Sequence, residues 1–185
     1  TFDCAPTLTD SQVLDFCRDG YLVLQGVVPD EINQRACDWL DGKISLEPIF
    51  MPPGLTLEEL NRIRATHEPS AILLEDWFIQ HVLLNPQLAG ALRSLLGANV
   101  GQPVITSHHL ADCPLPAQGW HQDSDRVFSP ELNFLEVFYF PQDTPAGLGP
   151  TEVAPGTHIG PVQRDIEDPG VLLEGPAGTI GIHHQ

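Results

Sequence analysis

The sequence predicts an α+β protein, with helices in the first part of the chain and strands in the second. Capped segments with apolar residues at helical spacing precede Gly101, and short apolar segments separated by Pro and Gly follow it. Helices followed by strands of this kind are typical of an α+β fold with an antiparallel sheet. The length of 185 residues suits one domain with a sizeable core.

Capping residues mark where each predicted helix begins, and a glycine or a proline marks where most of them end. The predicted helices are 10–19, capped by Thr9 or Asp10 and ended by Gly20; a second from Pro29-Asp30 to Gly42; a third after Thr56; a fourth from Ala71 to about Leu84; and a fifth from Asn85-Pro86 to Gly97. Glu59, three residues after Thr56, completes a capping-box pattern. We expect the fourth helix to be buried, because most of its residues are apolar.

Short apolar runs predict the strands. They are 21–24 between the first two helices and then 104–110, 133–140, 149–153 and 178–184. Pro/Gly turns separate the later ones, which favours antiparallel pairing.

Charge and cysteine content narrow the possible partners. The net charge is −17, from 25 acidic residues against eight scattered basic residues, so we expect no nucleic-acid partner and no anionic membrane surface. The chain shows no signal-like apolar run and no stretch long enough to span a bilayer. The four cysteines lack disulfide or zinc spacing, which favours reduced thiols and a cytoplasmic protein.

The segment Trp120-His121-Gln122-Asp123 is the strongest functional pattern. Side chains two apart on a strand share a face, so His121 and Asp123 would point the same way. With a second histidine, such a pair forms the 2-His-1-carboxylate triad that holds Fe(II) and leaves positions open for a co-substrate and O₂. Alone the pattern is weak, because a chain with 8 His and 25 acids contains such triplets by chance. The alternative is that His121 is a polar rim residue and Asp123 caps a turn.

Several blocks in a fixed order give the pattern more weight. They are Leu8-Thr9-Asp10-Ser11-Gln12, Phe16-Cys17-Arg18-Asp19-Gly20-Tyr21-Leu22-Val23-Leu24, the Trp-His-Gln-Asp segment, and Gly149-Pro150-Thr151-Glu152-Val153-Ala154-Pro155-Gly156-Thr157-His158. This order closely resembles the phytanoyl-CoA dioxygenase family, which depends on Fe(II) and 2-oxoglutarate. The resemblance runs from about residue 8 to the last residue.

The resemblance implies a double-stranded β-helix, a jelly-roll or cupin-like barrel, with the N-terminal helices packed on one sheet. We expect a single oxygenase domain over 1–185, with a helical part over about 8–100 and a jelly-roll part over about 101–185 whose last strands are missing.

The resemblance also implies site residues. His121 and Asp123 would be the metal ligands and catalytic residues, while Tyr139 would contact 2-oxoglutarate or else be an ordinary barrel-core tyrosine. The distal histidine ligand and the arginine that binds 2-oxoglutarate are expected beyond Gln185, with His184 as the fallback ligand and His183 after it. His158 is expected to stabilise its turn rather than to bind iron.

The expected function is a dioxygenase that uses Fe(II), 2-oxoglutarate and O₂ to oxidise a small organic molecule or secondary metabolite, releasing succinate and CO₂. Asp123 favours hydroxylation, or another oxidation, over halogenation, because related halogenases replace this carboxylate. A coenzyme A ester is not favoured, because the chain lacks a Lys/Arg cluster. Two alternatives stay open: a cupin-like metal protein that does not use 2-oxoglutarate, and a catalytically degenerate binding module.

Overall fold

A computed structural model describes residues 4–41, 56–67, 69–98, 100–101, 119–121, 132, 134–159 and 169–184. The helices are α1 (Asp10–Asp19), α2 (Asp30–Leu40), α3 (Leu57–Thr66), α4 (Asp76–Phe78) and α5 (Pro86–Leu96). The strands are β1 (Tyr21–Leu24), β2 (Glu136–Phe140), β3 (Glu152–Val153), β4 (Val171–Leu172) and β5 (Thr179–His183). Helices and small antiparallel sheets therefore follow each other in the predicted order. No helix among the described residues has the length and apolar character needed to cross a membrane.

Helix α1 begins and ends where the sequence predicts. The Thr9 hydroxyl accepts a hydrogen bond from the backbone amide of Gln12 at 3.3 Å, and the side-chain oxygen of Gln12 accepts one from the backbone amide of Thr9 at 3.0 Å. This reciprocal pair is a capping box. At the other end Gly20 takes the left-handed conformation, with φ +81°, and its amide donates to the Phe16 carbonyl at 2.7 Å.

Local caps also set the starts of α3 and α5. Thr56 and Glu59 form the second predicted capping box. The Asn85 side chain accepts from the amides of Gln87 and Leu88, at 3.0 and 3.3 Å, directly before Pro86. Both starts are confirmed, because side-chain oxygens satisfy amides that a helix leaves unpaired in its first turn.

The apolar segment after Ala71 is not the single helix that its pattern predicts. It consists of a 3₁₀ helix (Pro69–Leu74), the short α4 and a π-helical turn (Ile79–Leu83). The backbone is extended at Glu75, whose carboxylate accepts from Trp77 Nε1 at 3.1 Å. A continuous helix would spread consecutive apolar residues around its whole surface, whereas these breaks direct them to one core. The buried apolar side chains of the segment are Ile72, Leu73, Trp77, Phe78 and Val82.

Strand β5 is the centre of a three-stranded antiparallel sheet with the order β1-β5-β2. Leu22 of β1 and Val137 of β2 both stand opposite Ile182. Strands β3 and β4 form a second, two-stranded sheet, and β4 was not predicted. The strand predicted over 133–140 is shorter than expected, and the one predicted over 104–110 lies outside the described residues.

The two faces of the three-stranded sheet have different neighbours, because successive side chains of a strand point to opposite faces. The helix-facing side carries Ile180 and Ile182, which are fully buried in one hydrophobic core with Phe16 of α1. The opposite side, here called the helix-distal face, carries Glu136, Phe138, Gly181 and His183. Leu173, which follows β4, packs over Gly181, where a Cβ atom would lie 2.9 Å from Leu173 Cδ1. The end of the second sheet therefore covers part of the helix-distal face.

Candidate functional site

His121 makes a hydrogen bond of the kind that metal-binding histidines make. Its Nδ1 lies 2.8 Å from the Gly119 carbonyl oxygen. A carbonyl can only accept, so the hydrogen is on Nδ1, and the neutral ring then carries its lone pair on Nε2. Metal-binding histidines commonly show this hydrogen bond from the second ring nitrogen to a backbone carbonyl. The donor chemistry of His121 therefore fits a divalent metal.

Trp120 connects this segment to the second sheet. A Cβ atom on Gly170 would lie 2.5 Å from Trp120 Cη2, so the indole packs directly over that glycine. Gly170 precedes β4, and its amide donates to the Glu152 carboxylate in β3 at 2.8 Å. Trp120 remains 44 % exposed. The contact with Gly170 agrees with a packing role for Trp120 rather than a chemical role.

Asp123, the other predicted ligand, lies outside the described residues, so the joint geometry of His121 and Asp123 stays a prediction. Among the residues that are described, no three or more His, Cys, Asp or Glu side chains are arranged to hold a metal ion. An imidazole and a carboxylate are both ligand types that suit Fe(II), and in this respect the predicted pair fits the metal.

Tyr139 lies on the helix-facing side of β2, with its ring 6.3 Å from that of Phe78. Its hydroxyl donates to Asn33 Oδ1 at 2.7 Å, and Asn33 Nδ2 in turn donates to the Val28 carbonyl at 3.0 Å. Burial raises the pKa of the Tyr139 phenol well above its ordinary value, with a further contribution from Cys37. This geometry favours the core-tyrosine interpretation. The contact with 2-oxoglutarate stays a prediction.

The Pro-Gly-Thr-His turn is fastened to the end of α1. His158 Nε2 lies 3.1 Å from the Cys17 carbonyl, and the Gly156 amide donates to the Asp19 carbonyl at 2.9 Å. Both contacts satisfy carbonyls that a helix leaves unpaired at its C-terminus. His158 packs so tightly against Gly20 that a Cβ atom there would overlap its ring. The stabilising role predicted for His158 agrees with these contacts.

His184 belongs to the same neighbourhood as His158. Its amide donates to the Gly20 carbonyl at 2.9 Å, and the His158 and His184 rings meet edge to face with centroids 5.4 Å apart. By the alternation of β5, this is the helix-facing side of the sheet. The role of fallback metal ligand stays untested for His184, because Asp123 is outside the described residues.

His183 points to the other face, where it forms a group that the sequence did not reveal. Its Nε2 lies 3.2 Å from Glu136 Oε2, and its ring stacks on Phe138 with centroids 5.0 Å apart and planes 8° apart. The alternation of Glu136 and Phe138 along β2 places both on one face. What the sequence lacks is the register that sets Glu136 opposite His183.

An antiparallel sheet with helices on one side, and a histidine whose Nδ1 is bonded to a backbone carbonyl beside a second sheet, suit the class of non-haem iron oxygenases. The chain belongs to the phytanoyl-CoA dioxygenase (PhyH) family, whose sequence profile matches residues 16–174. The resemblance inferred from the sequence is thereby confirmed. Neither a curated protein nor a solved structure gave a match.

Family membership supplies the general chemistry. Members adopt a double-stranded β-helix and are oxygenases that use Fe(II), 2-oxoglutarate and O₂. The matched range includes His121, Asp123 and Tyr139, and it ends before β5 with His183 and His184.

Proposed function

We propose that this protein is an Fe(II)- and 2-oxoglutarate-dependent dioxygenase that hydroxylates a small organic molecule and releases succinate and CO₂. The family match carries the proposal, because the matched range contains both His121 and Asp123. We also propose that the two sheets belong to one double-stranded β-helix domain. The packing of Leu173 over Gly181, from one sheet to the other, supports that arrangement.

In this proposal His121 and Asp123 hold the iron. Bound Fe(II) and 2-oxoglutarate supply the activation of O₂ that oxidises a substrate C–H bond. The bond from His121 Nδ1 to the Gly119 carbonyl fixes the ring in the ligand tautomer and limits its rotation. The packing of Trp120 on Gly170 holds the same segment against β4. Both contacts keep a ligand rigidly aimed, which a metal site requires.

The carboxylate of Asp123 favours hydroxylation, because related halogenases have a small residue there. We propose a small organic substrate or secondary metabolite, since 25 acidic residues against eight scattered basic ones do not suit a phosphate-rich ligand. For the same reason we propose no nucleic-acid and no membrane partner. A cytoplasmic location is also part of the proposal, because the four cysteines show no disulfide spacing.

The test is release of succinate and CO₂ from 2-oxoglutarate by the full-length polypeptide with Fe(II) in air. The variants are His121→Ala and Asp123→Ala, and the matched control is His81→Ala, which removes an exposed histidine from the π-helical turn. We expect wild type and control to release succinate and both ligand variants to fall to background. Iron binding without succinate release would favour the cupin-like alternative. Absence of both would favour the degenerate binding module.

A further inference from the structure

The helix-distal face carries a polar pair that the proposed metal ligands leave unexplained. Glu136 and His183 stand directly opposite each other in the register of β2 and β5. Their side chains are only 21 % and 13 % exposed, and His183 Nε2 lies 3.2 Å from Glu136 Oε2. With its hydrogen on Nε2, facing the Glu136 carboxylate, the uncharged ring would have its lone pair on Nδ1.

Packing fixes the orientation of this imidazole. Phe138 stacks on the ring almost in parallel, at a centroid distance of 5.0 Å. Phe138 stands opposite Gly181, at the next position on the same face from the Glu136–His183 pair. With one edge on Glu136 and one face on Phe138, the ring presents its remaining edge in a single direction.

That remaining edge is the Nδ1 atom, which is buried and has no hydrogen-bond partner among the described residues. Buried polar atoms are nearly always paired, because an unpaired one loses its bond to water without replacement. An unpaired nitrogen held by two neighbours therefore calls for a ligand. It is the property expected of a site that is completed when a substrate binds.

The charge of the group selects the ligand. Glu136 places a carboxylate 3.2 Å from the ring, so a second carboxylate on the same imidazole would be repelled. This disfavours 2-oxoglutarate and favours a hydrogen-bond donor that carries no negative charge. Phe138 and Leu173 border the same face and would receive an apolar part of that molecule.

We propose that His183 binds the organic substrate by accepting a hydrogen bond at Nδ1 from a hydroxyl or N–H group. Glu136 and Phe138 are the positioning residues that hold the imidazole for this contact. The inference rests on the proposed function, and it makes His183 a determinant of substrate specificity.

The test uses the full-length polypeptide with ¹⁵N-labelled histidine, loaded with Zn(II) and 2-oxoglutarate to avoid paramagnetic broadening. Long-range ¹H–¹⁵N spectra report which ring nitrogen of His183 carries the hydrogen. The probes are benzyl alcohol and toluene, which share a ring and differ in the hydroxyl. We expect an Nδ1 without hydrogen, whose resonance shifts with benzyl alcohol and stays in place with toluene.

A hydrogen on Nδ1, an equal response to both probes, or a response to neither would overturn the inference. The variant His183→Phe keeps an aromatic ring on Phe138 and removes the acceptor. We expect it to weaken benzyl alcohol binding roughly five- to tenfold, which is what one hydrogen bond contributes, and His81→Phe to leave binding unchanged. If wild type still releases succinate while the NMR result is negative, only this inference fails. A wild-type protein that releases no succinate would instead refute the proposed function.

Discussion

Substitution of Gly20 by alanine tests how the His158 turn is attached to α1. Gly20 has φ +81°, which costs an alanine roughly 1–2 kcal/mol. The new Cβ atom would also displace the His158 ring and break its bond to the Cys17 carbonyl, at a further cost of about 1 kcal/mol. Reduced freedom of the unfolded chain returns about 0.5 kcal/mol. We expect the free energy of unfolding to fall by about 1.5–2.5 kcal/mol.

Urea unfolding monitored by circular dichroism measures this loss, and Gly149→Ala is the matched control. Gly149 is also left-handed, with φ +68°, and nothing lies within 4 Å of a Cβ atom built on it. It should therefore report the backbone cost alone, about 1 kcal/mol. In a His158→Ala background, Gly20→Ala should cost about 1 kcal/mol less than in wild type, since the ring it displaces is absent. Equal costs in both backgrounds would refute the contact.

Three further predictions concern the core, the sheet and pH. Ile182→Ala should lower the free energy of unfolding by about 2–5 kcal/mol, because the side chain is fully buried. A loss of less than about 1 kcal/mol, measured by urea unfolding, would contradict the burial of this side chain in the core. Burial raises the pKa of the Tyr139 phenol, so the contribution of this residue to stability is full below the ordinary pKa of 10.0 and is lost as the pH rises above that value. Tyr139→Phe should therefore flatten the loss of melting temperature at alkaline pH, and an unchanged pH profile would show that Tyr139 does not cause this loss. The hydroxyl of Thr56 lowers the pKa of Glu59, so the stability from this cap is present above the ordinary pKa of 4.5 and is lost as the pH falls. Glu59→Gln should therefore make the melting temperature depend less on pH in the acid range, and an unaltered dependence would contradict the role of Glu59 in the cap.

Local rules gave the helix ends correctly because capping is decided by residues that are neighbours in sequence. Thr9 marks the start and Gly20 the end of α1 through hydrogen bonds to residues at most four positions away, and Asn85 marks the start of α5 in the same way. Composition could not reveal the breaks between Ala71 and Leu84, because an apolar run fits a buried helix as well as a broken one.

Contacts between distant parts of the chain were beyond local patterns. The pairing of β1 with β5 joins Tyr21 to His183, and the bond from Tyr139 to Asn33 joins β2 to α2. Register and partner choice depend on how whole elements pack, which explains why the Glu136–His183 pair was missed. The His-X-Asp pattern succeeded as a pointer to the family because several ordered blocks accompany it.

Anaerobic titration of Fe(II) into the full-length polypeptide with 2-oxoglutarate tests the central claim most directly. The measurement is the weak visible metal-to-ligand charge-transfer band, recorded for wild type, His121→Ala, Asp123→Ala and the control His81→Ala. We predict a saturable band in wild type and control and its loss in both ligand variants, because imidazole and carboxylate each supply a bond to the iron. A wild-type protein without the band, or a band that survives loss of His121 and Asp123, would contradict the account.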